Sequence, residues 1–208
     1  MSHKLEIKKR KNGYTIIETM VAISLFLVIS IYGMGSLLNA DLVHHKSEDM
    51  RNVMDNMSFI IEDMSRNIRT GYNFRCFSVG EEIDKRGDPT LDDPRSCPSG
   101  GWAIAFDWQN GDPLSPSDQW VYYVSNDNKL FKSTDGATSF IQMTPDEVVV
   151  DSVSGFTIFG AEPPNIDDTG DLQQPFMNIS LVGKILLKNE IETPFSLQTS
   201  VSQRKADI

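Results

Sequence analysis

Apolar residues follow three different patterns along this chain. From residue 20 to residue 38 no side chain is charged, and the polar ones are Ser24, Ser30, Ser36 and the hydroxyl of Tyr32. Wound as a helix, such a run is long enough to cross a hydrocarbon layer of roughly 30 Å, which takes about 20 residues. After Asp41 the apolar positions narrow to a stripe, Leu42, Val43, Met50, Val53, Met54, Met57, Ile60, Ile61, Met64 and Ile68. Gaps of three and four mark one face of an amphipathic helix. Lys46, Glu48, Asp49, Arg51, Asp55, Glu62, Asp63 and Arg66 supply its solvated face, and Gly71 is placed to end it. No proline interrupts residues 14–70, so the two patterns predict one helix of roughly 85 Å at about 1.5 Å per residue. Gly33 and Gly35 are its weakest point, each costing about 1 kcal/mol of helix propensity.

Beyond Gly71 the pattern turns to strands. In "GGWAIAFDW", Trp102, Ile104, Phe106 and Trp108 alternate with Ala103, Ala105 and Asp107. "QWVYYVSNDNKLFKS" reads as a hairpin with its loop at residues 125–128, and "SFIQM", "EVVVDSVSGFTIFG" and "FMNISLVGKILL" give further strands. In the last strand Phe195, Leu197, Thr199 and Val201 alternate with Ser196, Gln198, Ser200 and Ser202. Turn-rich acidic loops cover residues 81–97, 109–118 and 162–175. The expectation is an α+β chain, a long N-terminal helix followed by an antiparallel sheet of about six or seven strands at residues 71–208, with the Met-rich stripe covering one sheet face.

Charge is as uneven as hydropathy. Lys4, Lys8, Lys9, Arg10 and Lys11 stand against Glu6 before Tyr14, a net of +4 in a chain of −10, which leaves −14 for the remainder. A basic flank ahead of an apolar span keeps the N-terminus in the cytoplasm and sends the acidic body outward. That body is a poor match for nucleic-acid phosphates. An extracytoplasmic body also suits Cys76 and Cys97 as a disulfide rather than two inert thiols. The bond would contribute on the order of 3 kcal/mol.

Gly13, an aromatic, Thr-Ile-Ile-Glu and a long apolar stretch together resemble the prepilin leader of type IV pilins and type II secretion pseudopilins. The resemblance implies a cleavable leader at residues 1–13, a pilin helix at residues 14–70 whose membrane part is residues 16–38, and an extracytoplasmic β domain at residues 71–208. A prepilin peptidase would cut between Gly13 and Tyr14, and Tyr14 would become the N-methylated terminus. Glu18 falls on the family's glutamate, the fifth residue of the mature chain. Tyr14 stands where Phe is common, Thr19-Met20 where two leucines are common, and Gly35 near a helix-bending proline of many major pilins. The pattern is specific because glycine, aromatic, glutamate and span must all fall in register, and it covers about the first thirty residues.

Within that resemblance Glu18 acquires a role. Inside a bilayer a carboxylate costs about 2.5–3.5 kcal/mol or more. A neighbouring subunit's freshly released α-amine would neutralise it in a filament, and the pair would fix register more than it adds stability. The body is large for a major pilin and its loops are long and acidic. Its ending, "FSLQTSVSQRKADI", resembles J-like minor pseudopilins and their minor-pilin relatives. The implied partners are other pilins or pseudopilins along the helix, the prepilin peptidase and the inner-membrane assembly platform. The implied location is the bacterial inner membrane, then a periplasmic or cell-surface filament.

Two other classes compete. An enzyme is disfavoured because His3, His44 and His45 are the histidines and all precede the β region, which removes histidine-based triads and zinc sites from it. His44 and His45 are adjacent, about 100° apart on a helix, and do not chelate together. A membrane-anchored adhesin or receptor that never assembles would use the same span but need neither Gly13 nor Glu18. No cofactor is expected. The weak candidate is calcium at Asp167, Asp168 and Asp171 in "NIDDTGD", which lacks EF-hand spacing. "STDGATSF" resembles a single Asp-box hairpin without its terminal Trp, and reads as ordinary turn chemistry.

Overall fold

The structure is a computed structural model that describes residues 13–83, 93–111, 115–153, 155–162, 173–187 and 191–204. The calcium candidates Asp167, Asp168 and Asp171 and the leader before Gly13 lie outside the described residues. Helix α1 runs from Ile16 to Thr70, 55 residues, unbroken at Gly33 and Gly35. The chain divides into two compact units, Met1–Ser47 and Glu48–Ile208.

In the first unit the helix is apolar on every side. Its large side chains are exposed from Tyr14 to Val43, with Ile16 at 80% and Leu37 at 72%. It is the one described helix long and apolar enough to cross a membrane. Two of its hydroxyls turn back on the helix: Thr19 Oγ1 donates to Ile16 O and Ser24 Oγ to Val21 O, each at 2.8 Å. Bonding back to the preceding turn satisfies these groups without water or a partner.

The second unit opens with the amphipathic part of α1 and continues, among the described residues, in ten strands. They are β1 Tyr72–Phe77, β2 Cys97–Gly101, β3 Ala103–Asp107, β4 Gln119–Val124, β5 Leu130–Ser133, β6 Ile141–Gln142, β7 Val148–Val150, β8 Gly155–Phe159, β9 Phe176–Leu187 and β10 Ile191–Ser202. They form two antiparallel sheets rather than one. The first has the order β1-β3-β4-β5-β6, and the second β10-β9-β8-β2, with β7 pairing further along β9. "EVVVDSVSGFTIFG" thus supplies two short strands, β7 and β8, and "SFIQM" only the two residues of β6.

Val53, Met57, Ile60, Met64 and Ile68 of the helix are buried in one core with residues of both sheets, among them Phe106, Tyr122, Phe156, Ile158, Ile179 and Leu181. Gly71 ends the helix for a steric reason. A Cβ there would lie 2.4 Å from the Phe106 ring, so glycine is required by the close approach of β3.

Strand β3 departs from simple alternation because both its faces are covered. Ile104 and Phe106 join the main core, while Ala103 and Ala105 join a smaller cluster with Phe77, Val121 and Ala137. Trp102 leaves the expected face because the chain changes sheets there, between β2 and β3. Gly100 has φ +92°, and a Cβ on Gly101 would meet Cys76 Sγ at 2.4 Å. β2, with the sequence Cys-Pro-Ser-Gly-Gly, has no strand propensity of its own. It is held by pairing with β8 and by the Cys76–Cys97 disulfide, whose Cα atoms are 5.8 Å apart. The bond ties the edge strand of one sheet to the edge strand of the other.

The β9–β10 pair is the longest, in register from Ile191↔Leu187 to Ser202↔Phe176. Its alternation is the one read from the sequence, with Phe195 and Val201 buried, Leu197 and Thr199 half-buried, and the intervening serines and Gln198 exposed.

Candidate functional site at the start of the apolar helix

Gly13, Tyr14 and Thr15 precede the first helical residue, and Tyr14 is 82% exposed. Thr15 caps the helix: its Oγ1 accepts the Glu18 backbone N–H at 3.2 Å. Thr15-Ile16-Ile17-Glu18 therefore has the spacing of a capping box, with a hydroxyl residue at the N-cap and Glu at the third helical position. The carboxylate stands in the first turn, where the positive end of the helix dipole favours an anion. This local arrangement was readable as S/T-x-x-E directly before an apolar run, and the prepilin reading of Glu18 passes over it. It also means that a carboxylate at residue 18 has one purpose within its own chain, independent of any neighbour.

The other site residues stand further along the chain. Cys76 and Cys97 belong to the second unit and are buried. His44 and His45 stand edge to face with ring centroids 6.5 Å apart, and His45 Nε2 lies 3.6 Å from Asp41 Oδ1 one turn away. Among the described residues, no three His, Cys, Asp or Glu side chains come together as a metal ion would require.

Polar chemistry that sequence reasoning missed is concentrated where α1 meets the first sheet. Asp63 accepts from Lys132 Nζ at 3.0 Å and from the Tyr122 hydroxyl at 3.5 Å. Asn67 donates to that hydroxyl at 3.1 Å. Lys132 Nζ also lies 4.3 Å from the Trp120 ring centroid, a cation–π contact. Burial, reinforced by the Asp63 charge, pushes the Tyr122 hydroxyl far above its usual range, so it stays a neutral donor. The group fixes the rotation of the helix on the sheet.

Three further carboxylates fasten loops. Asp135, in the β5–β6 turn, accepts from Thr138 N, Ser139 N and both the Ser133 and Ser139 hydroxyls. These bonds, led by the Ser139 hydroxyl, lower its pKa to about 2. The Asp135 carboxylate is thus spent on two backbone N–H groups and two serine hydroxyls of its own turn, the ordinary turn chemistry read from its Asp-box-like sequence. Glu81 is held below the usual carboxylate range by hydrogen bonds from Arg95 and then from the Ser78 N–H. At Glu162, burial pushes the pKa upward, but hydrogen bonds from the Ser96 hydroxyl at 2.5 Å and N–H at 2.8 Å outweigh it and the net shift is down.

No protein-family model matches this chain, and no curated protein or solved structure matches it either.

Proposed function

We propose that the chain is a minor pilin or pseudopilin, a non-enzymatic structural subunit that helps initiate or cap a type IV pilus or type II secretion pseudopilus. The observation that carries this reading is the order of features at one helix end. A glycine-aromatic pair sits just outside the helix, a carboxylate stands in its first turn, and an apolar surface follows that nothing in the described chain covers. In this reading the precursor lies in the bacterial inner membrane with a cytoplasmic N-terminus. A prepilin peptidase removes residues 1–13, Tyr14 is methylated, and the apolar helix packs against other pilins delivered through the assembly platform. The pilin-like fold, with its amphipathic second half of the helix seated on a β domain, belongs to the same proposal.

The primary test is co-expression with a prepilin peptidase and mass spectrometry of the N-terminus. The expected product begins at Tyr14 and carries one added methyl group. A chain still beginning at Met1, in cells that process other prepilins, overturns the reading and leaves an anchored adhesin or receptor.

The capping box sharpens the test of Glu18. Glu18→Gln keeps a residue suited to the box but removes the charge, whereas Thr15→Val removes the cap and keeps the charge. The proposal expects Glu18→Gln to insert into the membrane but drop out of filaments and partner pull-downs, and Thr15→Val to assemble. The opposite outcome assigns the carboxylate to its own helix.

A further inference from the structure

A groove of about 820 Å³ opens in the second unit between residues 79–83 and the β4–β5 hairpin. Trp102, Tyr123 and Phe140 give it an aromatic wall, and Glu81, Glu82 and Asp127 give it carboxylates. The rings brace one another. Tyr123 stacks on Phe131 at 5.2 Å and meets the edges of Trp102 at 5.8 Å and Phe140 at 4.9 Å. Trp102 is further anchored by its indole N–H, which donates to Ser78 O at 3.0 Å. Val79, 92% exposed, adds an apolar side chain at the mouth.

The charge of the groove is one-sided. Among the described residues that line it, none is Lys, Arg or His. Arg95 engages Glu81 from outside the lining, while Glu82 and Asp127 are exposed. Burial, and after it the Asp127 charge, raises the Tyr123 pKa. The β4–β5 loop itself is held in shape by Ser125, whose N–H donates to Lys129 O at 2.8 Å and whose hydroxyl accepts from Asp127 N at 3.2 Å.

We propose that this groove binds a lysine or arginine side chain carried on an extended segment of a partner polypeptide. Carboxylates beside aromatic rings suit a cation that sheds part of its water, since the ring faces and the acids both attract it. The apolar stem of such a side chain has Val79 and the rings to lie against. A phosphate or carboxylate ligand would meet the exposed carboxylates of Glu82 and Asp127. The volume exceeds what one ammonium or guanidinium group fills, which points to several consecutive residues rather than a small amine. The net charge of −10 draws a basic segment toward the protein before contact.

The test uses the full chain in phosphatidylcholine nanodiscs and three probes. Two are acetylated, amidated peptides, Gly-Arg-Gly-Arg-Gly and Gly-Glu-Gly-Glu-Gly, and the third is maltose as a neutral sugar. The arginine peptide is expected to bind saturably with a change in tryptophan emission. Its Kd should rise about tenfold or more in the Glu82→Gln/Asp127→Asn double variant, and should also rise with added salt, as an exposed charge contact must. Trp102→Leu should remove most of the emission change. An unchanged thermal midpoint in the double variant shows that lost binding is not lost folding; if the midpoint moves, the exposed single variant Glu82→Gln gives the same readout. Failure of the arginine peptide to bind, equal binding of the glutamate peptide, or unchanged affinity in the double variant overturns the proposal. Binding of maltose without the arginine peptide also overturns it and assigns the groove to a glycan.

Discussion

The two parts of α1 share one backbone geometry and opposite fates for their apolar side chains. Val53, Met57, Ile60, Met64 and Ile68 are between 0 and 8% exposed, whereas Ile29 and Ile31 are each 70% exposed. The later part places apolar residues on one stripe and finds a core for it. The earlier part is apolar all round, and so large a continuous surface is not stable in water without lipid or protein partners. The lesson is about arrangement rather than content: a stripe specifies a face, and a full apolar circumference specifies a solvent.

That contrast can be broken most sharply by paired truncations. Met64→Ala should destabilise the second unit by about 2–5 kcal/mol, through lost contacts and a residual cavity. Leu27→Ala should leave the thermal midpoint of that unit within error and act only on membrane retention. Equal effects of the two on unfolding in nanodiscs would erase the distinction. Next in size, replacing Cys76 and Cys97 by serine should cost on the order of 3 kcal/mol. The loss should appear as a lower midpoint that added reductant reproduces in the parent chain and does not deepen in the variant.

A smaller effect concerns acid. Asp135, at about 2 when folded, sits below its ordinary value of about 3.9. Its stabilisation is therefore complete above about pH 4 and is lost as the pH falls toward about 2. Glu81 and Glu162 shift in the same direction. Asp135→Ala should lower stability near neutrality by about 1 kcal/mol, in line with loss of a capping side chain, and flatten the acid limb of a denaturation curve. A limb of unchanged steepness would show that other groups carry it. The smallest expected change is at Asn128, held at φ 60° in the β4–β5 turn. Asn128→Gly should alter the stability by less than about 0.5 kcal/mol, whereas a β-branched residue such as valine should cost about 1 kcal/mol or more. Similar midpoints for glycine and valine would mean the turn relaxes.

The features visible from sequence were those with local periodicity. Gaps of three and four located the helix stripe that is buried from Val53 onward, although Leu42 and Val43 at its start are exposed, and strict alternation located β10 down to the facing of Ser196, Gln198, Ser200 and Ser202. The β4–β5 hairpin was equally plain from "SNDN" between two apolar runs. What escaped has no local signal. β2 is a strand through its pairing and covalent link, and β1 contains Asn73 at φ 53°, a conformation that breaks the strand pattern. The division into two sheets follows from the change of sheet at Trp102, which depends on what Gly101 packs against rather than on any propensity. At the helix start, the Thr15 cap was present in the letters but hidden beneath a longer motif. The groove brings residues 79–83 beside residues 123–128, and only pairing across the first sheet makes them neighbours.

The disulfide at the junction of the sheets also has a mechanical meaning. Thr70 passes through Gly71 directly into β1, and Cys76 lies five residues further on, bonded to β2. Tension entering the second unit through its helix therefore meets a covalent crossbar within a few residues. It is shared between both sheets before the first can be peeled away strand by strand.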